Sequence, residues 1–279
     1  MSENAKDIST KEEKDLIKKM IHMVNPGDCR EIRETLNMTE KGTVKNSMEN
    51  YVTVLRKDPL LAGSLRYNRL TEKIDVTKIL WWNKEPCVLT NKGRKALRYF
   101  FEKYYGLFNE GVMDDALDLE AYSKEYHPIC EYLETLEWDG KERIRNVLKV
   151  YMGAEDSDLV YEMLKHFMMG ALNRIYCPGC KFDEMLCLVG QQGAGKSTFF
   201  RFLALDDQWF SDSLKNLNME KPYELLRGHW ILEMSEMTAA ISAKSIEETK
   251  SFLSRMKETH RNPYEKYEED RPRQCVFAG

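Results

Sequence analysis

One stretch of the sequence, residues 185–198, constrains the fold more than any other. It reads as a short apolar run over residues 185–189, then a glycine-rich loop, then a helix that starts at a lysine. The loop fits the pattern G-x-x-x-x-G-K-[ST], whose glycines allow a tight turn and bring backbone N–H groups close to phosphate oxygens. Because the strand and the helix that this pattern requires are both present, the sequence predicts a phosphate-binding loop.

The residues of this loop have distinct expected roles. The positive end of the following helix would point at the same anion as the loop N–H groups. Lys196 would reach the β- and γ-phosphates of a nucleotide, and the hydroxyl group of Ser197 would bind Mg²⁺. The predicted nucleotide-binding residues are Gly190, Gln191, Gln192, Gly193, Ala194, Gly195, Lys196, Ser197 and Thr198.

Nucleotide hydrolysis also needs acidic groups near the metal ion and the attacking water. Glu233 follows the apolar residues 230–232, and Glu236 stands three positions later. A strand there would deliver both carboxylates at its carboxyl end, where ligands gather in open α/β sheets. We expect Glu233 to hold Mg²⁺, directly or through water, and Glu236 to polarise the attacking water, although the two roles can be exchanged. With Lys196, these are the predicted catalytic residues.

Composition restricts the classes of protein that fit. The 279 residues, 42% hydrophobic and 32% charged, are ordinary for about two globular domains. The net charge of −4 excludes a uniformly basic nucleic-acid binder, so a contact with DNA has to come from a local patch. No long uncharged apolar run or apolar signal core is present, and the sequence therefore predicts a cytoplasmic protein without membrane contact.

The cysteines give a weaker signal. Their number is seven, and an odd count favours reduced thiols over a disulfide framework. Cys177 and Cys180 form a C-x-x-C pair without the second pair that a zinc site needs. A turn with two free thiols is favoured, and a metal or redox site is the alternative.

Hydrophobic periodicity divides the chain into four segments. They are a helical extension over residues 1–45, a small mixed α/β or helical domain over 46–126, a helical lead-in over 127–180 and the phosphate-loop core over 181–279. Helical spacing predicts helices over residues 90–105, 142–152 and 156–176.

Two features of the second segment leave alternatives open. Trp81 and Trp82 could stack on nucleic-acid bases, but packing in a core is favoured. The helix over residues 90–105 has a basic face, for which ordinary solvated charge is favoured over a nucleic-acid contact. The basic residues of this face are Lys92, Arg94, Lys95 and Arg98.

Several ordered motifs between about residue 46 and residue 279 resemble the virulence-associated protein E family of phages and pathogenicity islands. They include Tyr132-Leu133-x-x-Leu136-x-Trp138-Asp139-Gly140, the phosphate loop, Glu233-x-x-Glu236 and Arg261-x-Pro263-Tyr264. This family is similar to superfamily 3 helicases of the AAA+ type, which are often found beside or fused to a primase. The implied fold is a mostly helical N-terminal region followed by a P-loop (AAA+-like) three-layer α/β ATPase domain.

The resemblance also implies an activity. It indicates an ATPase that uses ATP and Mg²⁺, assembles as a homo-oligomer, as in a ring, and works on DNA, mainly single-stranded, in the replication of a phage or mobile element. A primase or another replication protein is a candidate partner. The resemblance adds four cations as candidate DNA contacts: Lys250, Arg255, Arg261 and Lys266.

The sequence departs from this family pattern near its end. In helicases of this type a polar sensor residue, an arginine finger and a fifth strand beside residues 185–189 would follow, so the ATPase domain is expected to be truncated after its fourth strand. The strand at 185–189 would then lie at a sheet edge. Because an arginine finger contributes several orders of magnitude to turnover, the alternative function is a nucleotide-binding interaction or regulatory module with little hydrolysis. A small-molecule kinase is a third hypothesis, for which no arginine-bearing lid is recognisable.

Overall fold

The computed structural model describes residues 14–214, 222–234, 243–260 and 268–279 of the chain. It separates into two compact units, Met1–His127 and Pro128–Gly279, both of which contain helices and a sheet. The four-stranded sheet of the second unit is parallel, and the predicted α/β class is thereby confirmed. Within the described ranges, no helix has the length and apolarity needed to cross a bilayer.

The first unit is built mainly from helices around one apolar core. The helices are α1 (residues 14–23), α2 (Pro26–Glu34), α3 (Met48–Lys57), α4 (Asn91–Phe100) and α5 (Glu110–Tyr122). The side chain of Asn25 caps α2 by accepting a hydrogen bond from the N–H of Gly27, and a proline occupies the first helical position, where its missing N–H costs nothing. Helix α5 packs against α3 and against the sheet.

A three-stranded antiparallel sheet completes the first unit. Its strands are β1 (Leu65–Asn68), β2 (Lys73–Val76) and β3 (Cys87–Val88), in that order. Leu65 pairs with Val76, and both side chains are buried in the core. Trp81 is also buried there, with its ring 5.0 Å from that of Phe100, so this tryptophan packs in the core as expected.

The helix predicted over residues 90–105 consists of two parts. Helix α4 is followed directly by a π-helical turn, Phe101–Tyr105, which Gly106 ends in the left-handed conformation at φ 68°. The rings of Phe100, Phe101 and Tyr105 are fully buried. Because a π-turn has more residues per turn than an α-helix, it allows consecutive aromatic side chains to face the same core.

The second unit carries six helices and six strands among its described residues. The helices are α6 (Pro128–Glu134), α7 (Ile144–Met152), α8 (Asp158–Tyr176), α9 (Lys196–Leu203), α10 (Pro222–Leu226) and α11 (Ala243–Leu253). The strands are β4 (Met185–Leu186), β5 (Phe210–Ser211), β6 (Ile231–Glu233), β7 (Lys257–His260), β8 (Glu269–Pro272) and β9 (Val276–Ala278). Helices α7 and α8 confirm the two helices expected at 142–152 and 156–176.

Four of these strands form the parallel sheet, in the order β4-β9-β6-β5. The last strand in sequence therefore lies between β4 and β6, where its three residues are buried. Helix α8 packs against β4 and β9, and α9 packs against β5 and β6. Because all four strands run in the same direction, the carboxyl ends of β4, β9 and β6 meet at one edge. Strands β7 and β8 pair with each other as a separate antiparallel hairpin.

Candidate nucleotide site

The glycine-rich loop joins the carboxyl end of β4 to the first turn of α9. Gly193 and Gly195 have φ angles of 82° and 83°, the left-handed region that side chains with a Cβ rarely adopt. A Cβ at either position would have no atom within 4 Å, so the backbone conformation and not the space requires glycine. Gly195 is the residue that precedes α9, and the first N–H groups of that helix have no acceptor within it.

Lys196 lies against the loop that it follows. Its ammonium group donates hydrogen bonds to the carbonyl oxygens of Gly190 and Gln191, both at 2.9 Å. These carbonyls belong to the first two residues of the loop, and the ammonium therefore bridges the two ends of the loop. A bound phosphate would offer this cation charged oxygens in place of neutral ones, and such bonds are stronger.

Ser197 and Glu233 meet although they are 36 positions apart in the sequence. The Oγ of Ser197, in the first turn of α9, donates to the Oε1 of Glu233 at 2.7 Å. Glu233 is the last residue of β6, and its strand is buried. The parallel sheet thus brings the loop hydroxyl and the predicted acidic residue together at the edge where the carboxyl ends of the strands meet.

The second oxygen of Glu233 fits a metal ligand. The residue is 6% exposed, and its Oε2 is buried without a hydrogen-bond partner among the described residues. A buried carboxylate oxygen left without a partner is unfavourable, and native proteins usually supply one. A hydroxyl group next to a carboxylate is a donor set typical of Mg²⁺, which takes few protein ligands and keeps several waters. These two residues therefore fit the expected metal ion.

The rest of the loop is open to solvent. Gln192, Ala194 and Thr198 are exposed. Val189, which the sequence assigns to the apolar strand, is fully exposed. The last sheet bond on this side runs from the N–H of Leu188 to the carbonyl of Gly279 at 2.7 Å, so Val189 has already left the sheet.

The remaining predicted residues lie in other places. Lys250, on α11, pairs with Glu247 at 2.9 Å, and Arg255, between α11 and β7, pairs with Glu258 at 3.4 Å. Three predicted residues fall outside the described part of the chain, namely Glu236, Arg261 and Lys266.

The sequence did not predict the buried position of Arg174. Arg174, on α8, is 1% exposed and donates from Nη2 to the carbonyl of Phe182 at 3.0 Å, which ties the helix to the segment entering β4. Burial lowers the pKa of this guanidinium. A signal was present, since Phe167, Ala171 and Arg174 follow helical spacing and share the buried face of α8.

The C-x-x-C pair forms a turn. The N–H of Cys180 donates to the carbonyl of Cys177 at 3.0 Å, and Gly179 between them has φ 80°. Both thiols are free. The described ranges hold no group of three or more histidine, cysteine, aspartate or glutamate side chains arranged to bind a metal ion.

Comparison with known proteins gives one family and a group of distant structures. Residues 133–279, slightly more than half of the chain, match the model of the virulence-associated protein E-like domain. No curated protein matches the sequence.

Two solved structures with similarity to the chain are apo forms of the NrS-1 C-terminal region. The A form has a TM-score of 0.43 and 12% identity over 84% of this chain and 56% of its own. The other has a TM-score of 0.39 and 13% identity over 77% and 53%. The chain thus spans about half the length of either structure.

Proposed function

The chain belongs to the family of virulence-associated protein E-like domains, and from this premise we propose that it is a Mg²⁺-dependent ATPase that acts on DNA in the replication of a phage or mobile genetic element. The observation that carries the proposal is the contact between Ser197 and Glu233 at the mouth of the glycine-rich loop. A phosphate-binding pattern alone is compatible with many nucleotide-binding proteins. A hydroxyl and a buried carboxylate joined beside it add the ligands that metal-assisted hydrolysis requires.

The chain's own residues would act as follows. Lys196 would exchange the carbonyls of Gly190 and Gln191 for the β- and γ-phosphates of ATP. The N–H groups at the start of α9 would hold the same phosphates. Ser197 and Glu233 would hold Mg²⁺, which when bound neutralises charge that develops on the phosphates. Glu236 would orient the attacking water.

The family resemblance and four positively charged side chains of the second unit support DNA as the partner. Single-stranded DNA is the proposed partner, with Lys250, Arg255, Arg261 and Lys266 as candidate contacts. Assembly as a homo-oligomeric ring and cooperation with a primase or another replication protein belong to the same proposal. In this chain Lys196, together with the bound Mg²⁺, would stabilise the charge of the transition state.

The test is ATP hydrolysis by the 279-residue chain, with and without Mg²⁺ and single-stranded DNA. Lys196→Ala serves as the inactive reference, and Lys165→Ala, which removes an exposed lysine of α8, serves as the control for loss of charge. We expect turnover that requires Mg²⁺, rises with DNA and disappears only in Lys196→Ala.

Two results would contradict the proposal. Turnover equal to that of Lys196→Ala, with ATP still bound, would identify the chain as a nucleotide-binding interaction or regulatory module. Turnover that responds to a small-molecule acceptor and not to DNA would identify a kinase.

A further inference from the structure

The basic residues of α4 divide into two groups that the sequence does not distinguish. The two arginines turn toward acidic side chains. Arg94 contacts Asp114 at 2.5 Å, and Arg98 contacts Glu102 at 3.0 Å and Glu110 at 2.6 Å. Their charge is therefore used inside the first unit, largely in joining α4 to α5.

The lysines form a separate stripe. Lys92, Lys95 and Lys103 are exposed, and no carboxylate pairs with them in the part of the chain that the structure describes. Lys92, Lys95 and Tyr99 follow the spacing i, i+3, i+7 on α4, which places side chains on one face of a helix. Lys103, in the π-turn that follows, lies beside them, with its ammonium 5.8 Å from the ring centre of Tyr99. We call these four residues the lysine stripe.

The opposite face of α4 faces the core, which fixes the stripe toward solvent. The buried residues of the helix are Gly93, Ala96, Leu97 and Phe100. Tyr99 is 38% exposed, and the ammonium of Lys103 lies 5.8 Å from its ring centre. Glu102 is the acidic residue next to the stripe in sequence, and Arg98 already holds its carboxylate.

Three exposed lysines around an exposed aromatic ring are suited to binding a nucleic acid, which offers both phosphates and bases. On α4 neighbouring side chains of the stripe are about 5–6 Å apart, and the part from Lys92 to Tyr99 is roughly 10 Å long at 1.5 Å per residue. The chain as a whole is negative, at −4, so an unneutralised cluster of three lysines is a local exception. The partial positive charge at the start of α4 adds to it near Lys92. An exposed aromatic ring between cations is the arrangement that stacks on the bases of a single strand.

We propose that the lysine stripe binds single-stranded DNA, with the three lysines on the phosphates and Tyr99 stacked on a base. This surface lies on the first unit, whereas the nucleotide site and the candidate contacts Lys250 and Arg255 lie on the second. The inference uses the proposed function only for the choice of DNA as the polyanion.

The experiment measures binding of labelled oligothymidylate to the full chain carrying Lys196→Ala, without nucleotide, so that a failure of the ATPase proposal does not affect the result. In this background Lys92→Gln, Lys95→Gln and Lys103→Gln are combined. Each lysine–phosphate contact contributes about 0.7 to the slope of log affinity against log salt, so we expect the slope to fall by about 2 and the affinity at about 50 mM salt to fall tenfold or more.

The matched control removes three exposed lysines elsewhere on the first unit, by Lys41→Gln, Lys73→Gln and Lys84→Gln. This control changes the net charge by the same amount. Its slope of log affinity against log salt should differ from that of the parent by no more than about 0.7, the contribution of one contact. Thermal unfolding of both triple variants checks that they fold. Tyr99→Ala should weaken binding several-fold without changing the slope, and Tyr99→Phe should restore it because the ring is kept.

Three results would overturn the inference. The first is an affinity and slope for oligothymidylate equal to those of the control. The second is a loss of affinity for duplex DNA with unchanged affinity for oligothymidylate, which would show a surface that follows a double helix. The third is unchanged DNA binding with a changed oligomeric state, which would assign the stripe to an acidic surface of a second copy.

Discussion

At the scale of single residues, the contact between Ser197 and Glu233 makes a direct prediction about metal dependence. Ser197→Ala removes the hydroxyl that donates to Glu233 at 2.7 Å, and it leaves a buried carboxylate without this partner. Loss of a group that orients or binds a metal ion typically costs 10–100-fold in metal affinity or activity. We therefore expect the Mg²⁺ concentration for half-maximal hydrolysis to rise by roughly this factor.

The matched variant is Ser197→Thr, which keeps the hydroxyl and should stay within a few-fold of the parent chain. Titration of Mg²⁺ at saturating ATP measures both variants. Equal Mg²⁺ dependence of Ser197→Ala and the parent chain would mean that the hydroxyl does not serve the metal.

A second residue-scale prediction concerns a buried carboxyl group of the first unit. Asp58 is 2% exposed, and it accepts hydrogen bonds from the hydroxyl of Tyr105 at 2.6 Å and from the N–H of Leu60 at 2.9 Å. Burial raises the pKa of Asp58, and these donors oppose the rise without cancelling it. The carboxyl group is thus more easily protonated in the folded chain than in the unfolded chain.

Because the pKa of Asp58 is higher in the folded chain than in the unfolded chain, the stability of the fold falls as this group ionises. The contribution of Asp58 to the free energy of unfolding is fully present below the unfolded pKa, about 3.9, and is lost as the pH rises through the higher folded pKa. Asp58→Asn can still accept from the N–H of Leu60 and does not ionise. We expect the stability of the parent chain relative to Asp58→Asn to fall as the pH rises above about 4, measured by urea unfolding at several pH values. A difference that is constant or rises with pH would contradict the raised pKa.

At the scale of elements, α8 and the segment that enters β4 fit together through one glycine. A Cβ on Gly170 would lie 2.1 Å from the ring of Phe182, whose side chain is buried. Gly170→Ala therefore forces this ring to move, and overpacking of this kind costs about 1–3 kcal/mol. The better helix propensity of alanine returns up to about 1 kcal/mol. We expect a net loss of roughly 1–2 kcal/mol in the free energy of unfolding.

A double-mutant cycle with Phe182→Ala tests the cause. Without the large ring, Gly170→Ala should become neutral or stabilising by up to about 1 kcal/mol, because only helix propensity remains. An unchanged cost in the Phe182→Ala background would show that the glycine serves the helix backbone and not this contact.

Some of these elements could be predicted from the sequence and others could not. Periodicity locates α7 and α8 to within two residues, and the glycine pattern locates the turn between β4 and α9, because both signals are local. The π-turn at Phe101–Tyr105 leaves no local signal, since its aromatic residues also fit an α-helix. The division of charge on α4 depends on acidic residues of α5 that only the packed structure brings near Arg94 and Arg98.

At the scale of the whole molecule, the order of strands decides which residues form the site. The last strand, β9, lies between β4 and β6, and its partners come from segments about 45 and 90 residues earlier in the chain. Sequence reasoning could name Ser197 and Glu233 separately from motif and position. Their contact at 2.7 Å follows only from this order of strands, because it sets how far apart the carboxyl ends of β4 and β6 are.

The division into two units gives the last prediction. Every described residue of the nucleotide site belongs to the unit Pro128–Gly279, so bound nucleotide should stabilise that unit. A ligand at 100 times its dissociation constant adds about 2.7 kcal/mol to the stability of the state that binds it. Hydrogen exchange with Mg²⁺ and a non-hydrolysable ATP analogue should therefore slow most in residues 185–203 and 231–234, by roughly 100-fold where exchange requires unfolding of this unit.

The control is Lys196→Ala, in which the analogue at the same concentration should give little or no protection, because the cation that anchors the phosphates is gone. Lys165→Ala, which removes an exposed lysine of α8 in the same unit, should keep the protection. Protection that survives in Lys196→Ala, or that centres on peptides of the unit Met1–His127, would place the nucleotide elsewhere in the molecule. Protection that depends on Lys196 and also includes residues 231–234 would show that nucleotide bound at the loop also stabilises the end of β6 at Glu233.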